Sequence, residues 1–286
     1  MIGPALAPQV RAGEARPWSL RIGVGLLLLL VAIVIVGPFI WSVDPTFETI
    51  EGLGPQGEPL DAGAPGHPLG TDPKGRDLLA RLLEAGRLTM LTALVAVAIA
   101  TAAGLLVGLA AASSHRVAGS VLMRFTDLGL AIPGLLLAAA IATILGRGAL
   151  SLIVGLAAVF WAPIARVTYG QAVVLRERAC VEAARVQGAG TLTLLGRHVL
   201  PHLMPIVGAY AALSVGWAVL FEASLGFLGA GVQEPQASIG SMLGSHLIYY
   251  RSHPGLILFP AIFLFVLVLA ANLVGESLRT RTEESR

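Results

Sequence analysis

The sequence predicts an all-α integral membrane protein with six transmembrane helices. Of its 286 residues, 56% are hydrophobic and only 13% are charged, whereas soluble domains carry about a quarter charged residues. The mean hydropathy is +0.81. The apolar residues are also gathered into runs long enough to cross a hydrocarbon core of about 30 Å as helices.

The first apolar run lies close to the N-terminus. Residues 1–20 form a polar, Pro- and Gly-rich tail, and residues 21–43 form the first predicted transmembrane helix. A cleaved signal peptide is the alternative, but the run is long for the hydrophobic part of such a peptide. Pro38, Phe39 and Trp41 also follow it where small residues would mark a cleavage site. An uncleaved helix is therefore favoured.

The longest polar segment, residues 44–87, is predicted to be an extracytoplasmic loop. Within it, Arg76–Glu84 has the spacing of a short amphipathic helix, with four leucines on one face. Residues 44–66 carry no pattern that decides whether they are ordered. Five further spans follow, over Leu88–Ala112, Val121–Leu145, Leu150–Tyr169, Leu203–Ala230 and Gly255–Leu278, and residues 280–286 form a second tail.

The distribution of Arg and Lys sets the predicted orientation. Six spans place both termini on one side of the membrane, and that side carries about twice as many positively charged residues as the other. Positive charges accumulate on the cytoplasmic side of membrane proteins. Both termini and the polar segment at residues 176–202 are therefore predicted to be cytoplasmic.

Segment 176–202 is a polar island between two apolar spans. Residues 176–185 favour a helix, and Gly188 and Gly190 permit a turn, because glycine adopts backbone angles that other residues resist. Thr191 is the predicted N-cap of a second short helix, which Pro201 is expected to end. These features predict a helix–turn–helix at the membrane surface.

Most catalytic chemistry is excluded by what the sequence lacks. A phosphate-binding loop ends in Gly-Lys-Ser/Thr, whereas the sole lysine, Lys74, follows Pro73. His198 and His202 have the spacing of a metal pair, but Pro201 lies between them and no acidic third ligand is near. The single cysteine permits no internal disulfide, and scattered Arg residues indicate no nucleic-acid partner. No enzyme site and no metal site are predicted.

Two ionisable residues lie within predicted spans, where charge is costly. Asp127 has Arg124 three residues before it, which predicts a local ion pair, and a place on the translocation path is the alternative. Glu222 lies deep in the fifth span and is either packed against a hydrogen-bonding partner or lines a polar path. Gly104 and Gly108 form a G-x-x-x-G pair suited to close helix packing.

Several sequence segments between residues 67 and 279 together resemble a known family. The segment 176–202 resembles the EAA loop of ABC-importer membrane subunits. The dipeptide/oligopeptide/nickel permeases of second-subunit type are resembled by four further segments: the outer loop, MRFTDLGLAIPGLLLA in the third span, EASLGFLGAGVQ in the fifth span, and ANLVGESLR near the end. The residues that match the EAA loop are Glu182, Ala183, Ala184, Gly188, Arg197, His198 and Pro201, and those of the outer motif are Gly70, Thr71, Asp72, Gly75, Arg76 and Asp77.

The resemblance implies a type I ABC importer fold in the bacterial inner membrane. It implies four kinds of partner: a homologous permease, two ABC ATPase subunits that dock on the EAA loop, an extracytoplasmic substrate-binding protein, and membrane lipid. ATP and Mg²⁺ would be bound by the ATPases, and this chain would hold no cofactor. Peptides are the expected cargo, with nickel or another small chelate as the alternative. A stand-alone proton-coupled transporter using Asp127 and Glu222 is the alternative from another class.

The sequence departs from the family pattern in three places. Gln187 stands where an apolar residue usually precedes the glycine, and His202 replaces a frequent Asn. The stretch EPQASIGSML, residues 234–243, lacks the usual double proline and Trp. This last difference concerns cargo specificity and not the fold. Glu222, an acidic residue that the nickel branch tends to lack, favours peptide cargo.

Overall fold

A computed structural model describes residues 17–284 of the chain. Residues 1–16 of the predicted N-terminal tail, and residues 285–286, lie outside the described part. The described residues form helices and irregular loops, with isolated β-bridges and no strand. The helices are α1 (Pro17–Ile40), α2 (Leu78–Ser113), α3 (Arg116–Ala131), α4 (Gly134–Leu145), α5 (Ala149–Arg176), α6 (Ala179–Val186), α7 (Thr191–Thr193), α8 (Leu200–Phe227), α9 (Ile239–His246) and α10 (Gly255–Glu284).

Within the described residues, five helical stretches are long and apolar enough to cross a membrane. They are α1, α2, α5, the continuous run from α7 to α8, and α10. A sixth crossing results if α3 and α4 count as one span, although they are bent by 88°. The predicted unbroken third span is therefore wrong. Ile132 is extended (φ −82°, ψ 128°) because Pro133 disfavours a helical residue before it and offers no N–H.

The first and second spans also differ from their predicted bounds. α1 runs over residues 17–40 in place of 21–43. The predicted separate amphipathic helix does not exist, because Asp77 caps a single 36-residue helix that continues from the loop into the membrane span. Three of the four leucines that suggested amphipathicity, Leu78, Leu82 and Leu83, are buried in the core, and Leu79 is half-buried.

The centre of the bundle is the contact between α2 and α5. A Cβ at Gly104 would lie 2.7 Å from the Trp161 carbonyl oxygen, and one at Gly108 would lie 2.7 Å from that of Ala165. Only glycine permits such an approach of two backbones. The predicted use of this glycine pair in helix packing is confirmed.

The bundle has two ends with different loops. At the first, called here the loop end, lie residues 41–77, 146–148 and 228–254; Arg147 contacts Gln233 there, and Asp61 contacts His253. At the opposite end lie residues 114–115 and 177–199. Only three residues separate α4 from α5, so the predicted tight connection at residues 146–148 is present.

Candidate functional site

Segment 176–202 protrudes from the opposite end as a helix–turn–helix. The turn at its tip requires glycine, because Gly188 has φ +86°. The Gly188 N–H donates to the Arg185 carbonyl (3.0 Å) and the Ala189 N–H to the Ala184 carbonyl (3.1 Å). These two bonds satisfy the last carbonyls of α6 in the manner of a Schellman motif.

Three details of the predicted helix–turn–helix are wrong. The first helix is interrupted at Arg178, which is extended, so α6 begins only at residue 179. Gly190, and not Thr191, is the N-cap of the second helix, and no side chain caps it. Pro201 does not end that helix. It lies in the first turn of α8, where a missing N–H is tolerated.

A π-helical stretch over Leu194–Val199 joins the second helix to α8. In it the Leu200 N–H donates to the carbonyl of Leu195, five residues earlier, and the helix then continues to Phe227. Segment 176–202 is thus fused to a membrane-spanning helix without an intervening loop. α6 packs on this π-helical stretch across the Gly188 turn, so a displacement of the helix–turn–helix would be transmitted to α8 as a rigid-body motion.

The tip of this segment has an anchored face and an exposed face. Val181 and Leu194 are buried, whereas Glu182 and Ala183 are exposed. Beside the turn, Val186 is 81% exposed and Leu192 is 86% exposed. Those two residues were not among the predicted site residues. Exposed apolar side chains mark a contact surface, but the segment also holds buried apolar residues such as Val181 and Leu194, so the sequence carried no signal that distinguished the exposed pair.

The remaining residues of the EAA pattern line the second helix. Arg197 is exposed and His198 is half-buried. The Nδ1 atom of His202 lies 2.9 Å from the carbonyl oxygen of His198, so this ring nitrogen is engaged by the backbone of its own helix. Among residues 17–284, no cluster of three or more His, Cys, Asp or Glu side chains could hold a metal.

The outer motif is a buried structural centre at the loop end. Asp77 accepts hydrogen bonds from the Ala80 N–H (2.8 Å) and the Trp41 indole (3.0 Å), and its second oxygen lies 2.8 Å from Nδ1 of His67. The Thr71 hydroxyl donates to the Gly52 carbonyl at 2.6 Å. This motif fixes residues 41–77 onto the start of α2.

Two glycines of the outer motif permit the close passage of neighbouring backbone. Gly70 has φ +84°, and a Cβ there would lie 2.2 Å from a carbonyl oxygen of residue 60. Gly75 has φ +74°, and its Cβ would lie 2.0 Å from the carbonyl oxygen of residue 49. Both positions therefore demand glycine for conformation and for space.

A cluster of charges joins this motif to the segment after α8. Asp72 is fully buried and lies 2.6 Å from Nε of Arg76 and 3.2 Å from Nε of Arg81. Glu234 accepts from Arg76 Nη2 at 3.1 Å and from the Lys74 ammonium. These five residues are called the loop-end ion cluster below. Lys74, Arg81 and Glu234 were not predicted as site residues. Glu234 lies 160 positions after Lys74 in the chain, so sequence spacing could not pair the two.

The ion pairing shifts the pKa values of two ionisable groups, Glu234 and Lys74, that lie outside the membrane spans. The hydrogen bond from Lys74 lowers the pKa of the Glu234 carboxyl below its ordinary value. The reciprocal bond raises the pKa of the Lys74 ammonium. Both shifts favour the charged forms, so the pair is ionised near neutral pH.

Asp127 has a different partner from the predicted one. Its carboxylate pairs with Arg166 of α5, and not with Arg124 on its own helix. The pair borders a cavity of about 590 Å³ at the opposite end, which Arg124, Arg116 and Tyr169 also line. The bond between α3 and α5 is thus tertiary, and the predicted local pair is wrong.

Glu222 is fully buried and hydrogen-bonded. Its Oε2 accepts from the Thr89 hydroxyl of α2 at 2.9 Å, and the same hydroxyl accepts from the Ile239 N–H of α9 at 3.2 Å. These contacts support the packed interpretation of Glu222. The structure does not bring Glu222 and Asp127 together, and a role for either on a translocation path stays a prediction.

Comparison with known proteins shows which proteins this chain is similar to. Residues 104–284 match the family described as "binding-protein-dependent transport system inner membrane component". The chain is 38% identical to the di/tripeptide transport system permease protein DppC of Pseudomonas aeruginosa, over 90% of this chain and 85% of the relative. It is 40% identical to a protein of Brucella suis named as a peptide permease, over 74% of this chain and 71% of the relative.

A solved structure has the same fold. A chain of the inward-facing MetNI methionine ABC transporter aligns with a TM-score of 0.59 and 19% identity. The alignment covers 70% of this chain and 95% of that chain. Its identity is low, so the comparison bears on the architecture of the membrane helices and not on cargo.

Proposed function

Because this chain belongs to the family of binding-protein-dependent transport system inner membrane components, we propose that it is the peptide-transporting permease subunit of an ATP-driven importer. It forms half of the translocation path, beside a homologous permease. It has no ATPase site of its own, and ATP and Mg²⁺ are bound by two partner ATPase subunits. It is a multi-pass protein of the bacterial inner membrane.

The observation that carries this proposal is the continuous helix from segment 176–202 into α8. An ATPase that contacts α6 and α7 would move a membrane-spanning helix directly, since α6 packs on the π-helical stretch and α7, that stretch and α8 are continuous. The residues proposed for the contact are exposed, small or apolar: Glu182, Ala183, Ala184, Val186 and Leu192. Gly188 supplies the turn, and Arg197, His198 and Pro201 belong to the helix that carries the motion inward.

The orientation assigned here follows from this contact. The opposite end, with segment 176–202, faces the cytoplasm, and the loop end faces outward. The loop-end ion cluster and the segment after α8 therefore lie where a substrate-binding protein would deliver cargo. Residues 44–87 contribute Lys74, Arg76 and Arg81 to this surface, and residues 88–279, which include Glu234, form the transmembrane core.

Peptides are the proposed cargo because the relatives with 38–40% identity over most of the chain are named as peptide permeases. Nickel or another small chelate is the alternative. Titration of the partner binding protein with di- and tripeptides and with Ni²⁺ decides between them. Nickel binding in the absence of peptide binding would overturn the peptide assignment.

The ATPase contact is tested by site-directed cross-linking in the assembled importer. In a Cys180→Ser background, Val186→Cys and Leu192→Cys are each treated with a short bifunctional maleimide. We expect adducts with the ATPase subunit at both positions. Ala118→Cys is the matched control, since residue 118 is also exposed at the opposite end but lies outside segment 176–202. Equal cross-linking at all three positions would contradict the proposed contact.

Energy coupling is tested in proteoliposomes that contain the assembled importer. Peptide uptake should require ATP on the side of segment 176–202 and should not respond to a proton gradient alone. Uptake driven by the gradient without ATP would instead favour the proton-coupled alternative.

A further inference from the structure

A deep groove of about 690 Å³ opens between α1, α2, α8 and α10. Its walls are apolar apart from one residue, Arg87 of α2. Leu91 and Leu94 at its edge are 50% and 57% exposed, so the groove is open to the surroundings of the bundle. In a membrane protein those surroundings are lipid.

The groove has a defined length and direction. Along α1 it runs from Leu27 to Phe39, which is about 18 Å at a rise of about 1.5 Å per residue. One leaflet contributes roughly half of a hydrocarbon core of about 30 Å. The groove is therefore as long as one leaflet is thick, and it lies along the direction in which an acyl chain extends.

The single charge lies at the loop end of the groove. α2 runs inward from the loop end, so Arg87 is the outermost groove residue of that helix, and Phe39 is the outermost of α1. Among the described residues, no carboxylate lies within 4.0 Å of the Arg87 guanidinium. Glu84, one turn earlier on the same helix, is the nearest acidic residue in sequence. Arg87 is exposed and is attracted through space to Glu84, and its position at the outer end of the groove is that of a lipid headgroup.

We propose that the groove binds one acyl chain of an anionic phospholipid, whose phosphate accepts hydrogen bonds from Arg87. The guanidinium matches a phosphate in charge and in its fork of donors. A transmembrane helix of the sister permease is a poorer occupant. Contacts between such helices are rich in small residues, whereas the groove wall is mainly Leu, Val, Ile and Met.

The probe for this site is a phosphatidylglycerol with a photoreactive diazirine in one acyl chain. The assembled importer is reconstituted in nanodiscs that contain it, irradiated, digested and mapped by mass spectrometry. We expect adducts on Met90, Leu94 or Val215. Leu106 is the control, because it is 69% exposed on α2 and lies outside the groove.

Two kinds of variant test separately how the Arg87 charge and the groove volume contribute to lipid binding. Arg87→Gln should lower adduct formation in the groove about fivefold, and Arg87→Lys should restore most of it. Val215→Trp should abolish groove adducts and leave those at Leu106 unchanged. The same acyl probe on a phosphatidylcholine should label the groove less than phosphatidylglycerol does.

Two results would overturn the proposal. One is a labelling level in the groove no higher than that at Leu106, with no dependence on residue 87. The other is efficient photo-cross-linking of a benzophenone amino acid at position 94 to the sister permease, which would show that a protein segment fills the groove. Gel filtration of each variant as the assembled importer establishes that the complex is intact in these measurements.

Discussion

The Thr89 hydroxyl donates to the buried carboxyl group of Glu222 at 2.9 Å, and it also accepts the Ile239 N–H. One small side chain of α2 therefore holds α8 and α9 together. Removing it leaves two buried polar groups without this partner, and an unsatisfied buried group costs about 1–3 kcal/mol.

Thr89→Val should accordingly destabilise the importer by about 1–3 kcal/mol. Thr101→Val is the control, because the Thr101 hydroxyl bonds only to the Val97 carbonyl of its own helix. Thermal unfolding of the purified complex, followed by tryptophan fluorescence, measures both. Equal losses for the two variants would show that the bond to Glu222 contributes no stability of its own.

The turn at Gly188 predicts that substitution of Gly188 lowers uptake more than substitution of the nearby Gly190. A Cβ would meet no atom within 4 Å at Gly188 or at Gly190, but only Gly188 has a positive φ. Gly188→Ala should strain the turn by about 1–2 kcal/mol and lower ATP-driven uptake, whereas Gly190→Ala should leave uptake near wild type. Transport in proteoliposomes with matched protein content is the measurement. Wild-type uptake by Gly188→Ala would remove the turn from the coupling mechanism.

The loop-end ion cluster predicts a pH window. The pKa of Glu234 lies below its ordinary 4.5, so its pairing contributes stability above pH 4.5 and is lost as the pH falls through the lowered pKa. The pKa of Lys74 lies above its ordinary 10.5, so its contribution is lost only as the pH rises through the raised value. The segment after α8 should therefore stay bound to the outer motif at all pH values between these limits.

In a Cys180→Ser background, spin labels at Gln56→Cys and Gln236→Cys report this attachment. We expect a narrow distance distribution near neutral pH that broadens only as the pH falls below 4.5, through the lowered pKa of Glu234. Glu234→Gln should give the broad distribution already at pH 7, and Glu51→Gln, an exposed carboxylate of the same loop outside the cluster, is the control. A distribution that is equally narrow in Glu234→Gln would show that backbone contacts alone hold the loop.

The pairing of Asp127 predicts which of two arginines is coupled to it. A double-mutant cycle of Asp127→Asn with Arg166→Gln should give a coupling of about 0.2–1 kcal/mol, as is usual for partly exposed pairs. The corresponding cycle with Arg124→Gln should give none. Unfolding free energies of the complex are compared. Coupling to Arg124 instead would restore the local ion pair that the sequence predicted.

The contact of α2 with α5 predicts a large effect from a small substitution. Gly104→Ala places a methyl group 2.7 Å from the Trp161 carbonyl oxygen, and such overpacking costs about 1–3 kcal/mol. Gly25→Ala is the control, because nothing lies within 4 Å of a Cβ there. The yield of assembled importer after mild heating is measured for both variants and should be lower for Gly104→Ala. Loss of both variants to the same degree would contradict the close approach.

Sequence alone determined the features that depend on local composition and spacing. Apolar runs predicted the helical membrane class, because the bilayer demands long apolar helices whatever their partners. The spacing from Glu182 to Pro201 predicted the helix–turn–helix, and the φ of Gly188 agrees with the turn placed there. The pair Gly104 and Gly108 predicted a close packing contact without naming the partner helix.

Tertiary structure decided the features that join distant parts of the chain. Glu234 meets Lys74, and Arg166 displaces Arg124 as the partner of Asp127. The helix through Pro201 is continuous, because a π-helical stretch precedes a first turn in which the proline needs no N–H. Charge pairing depends on distance in space, and neither hydropathy nor spacing encodes which helices lie side by side.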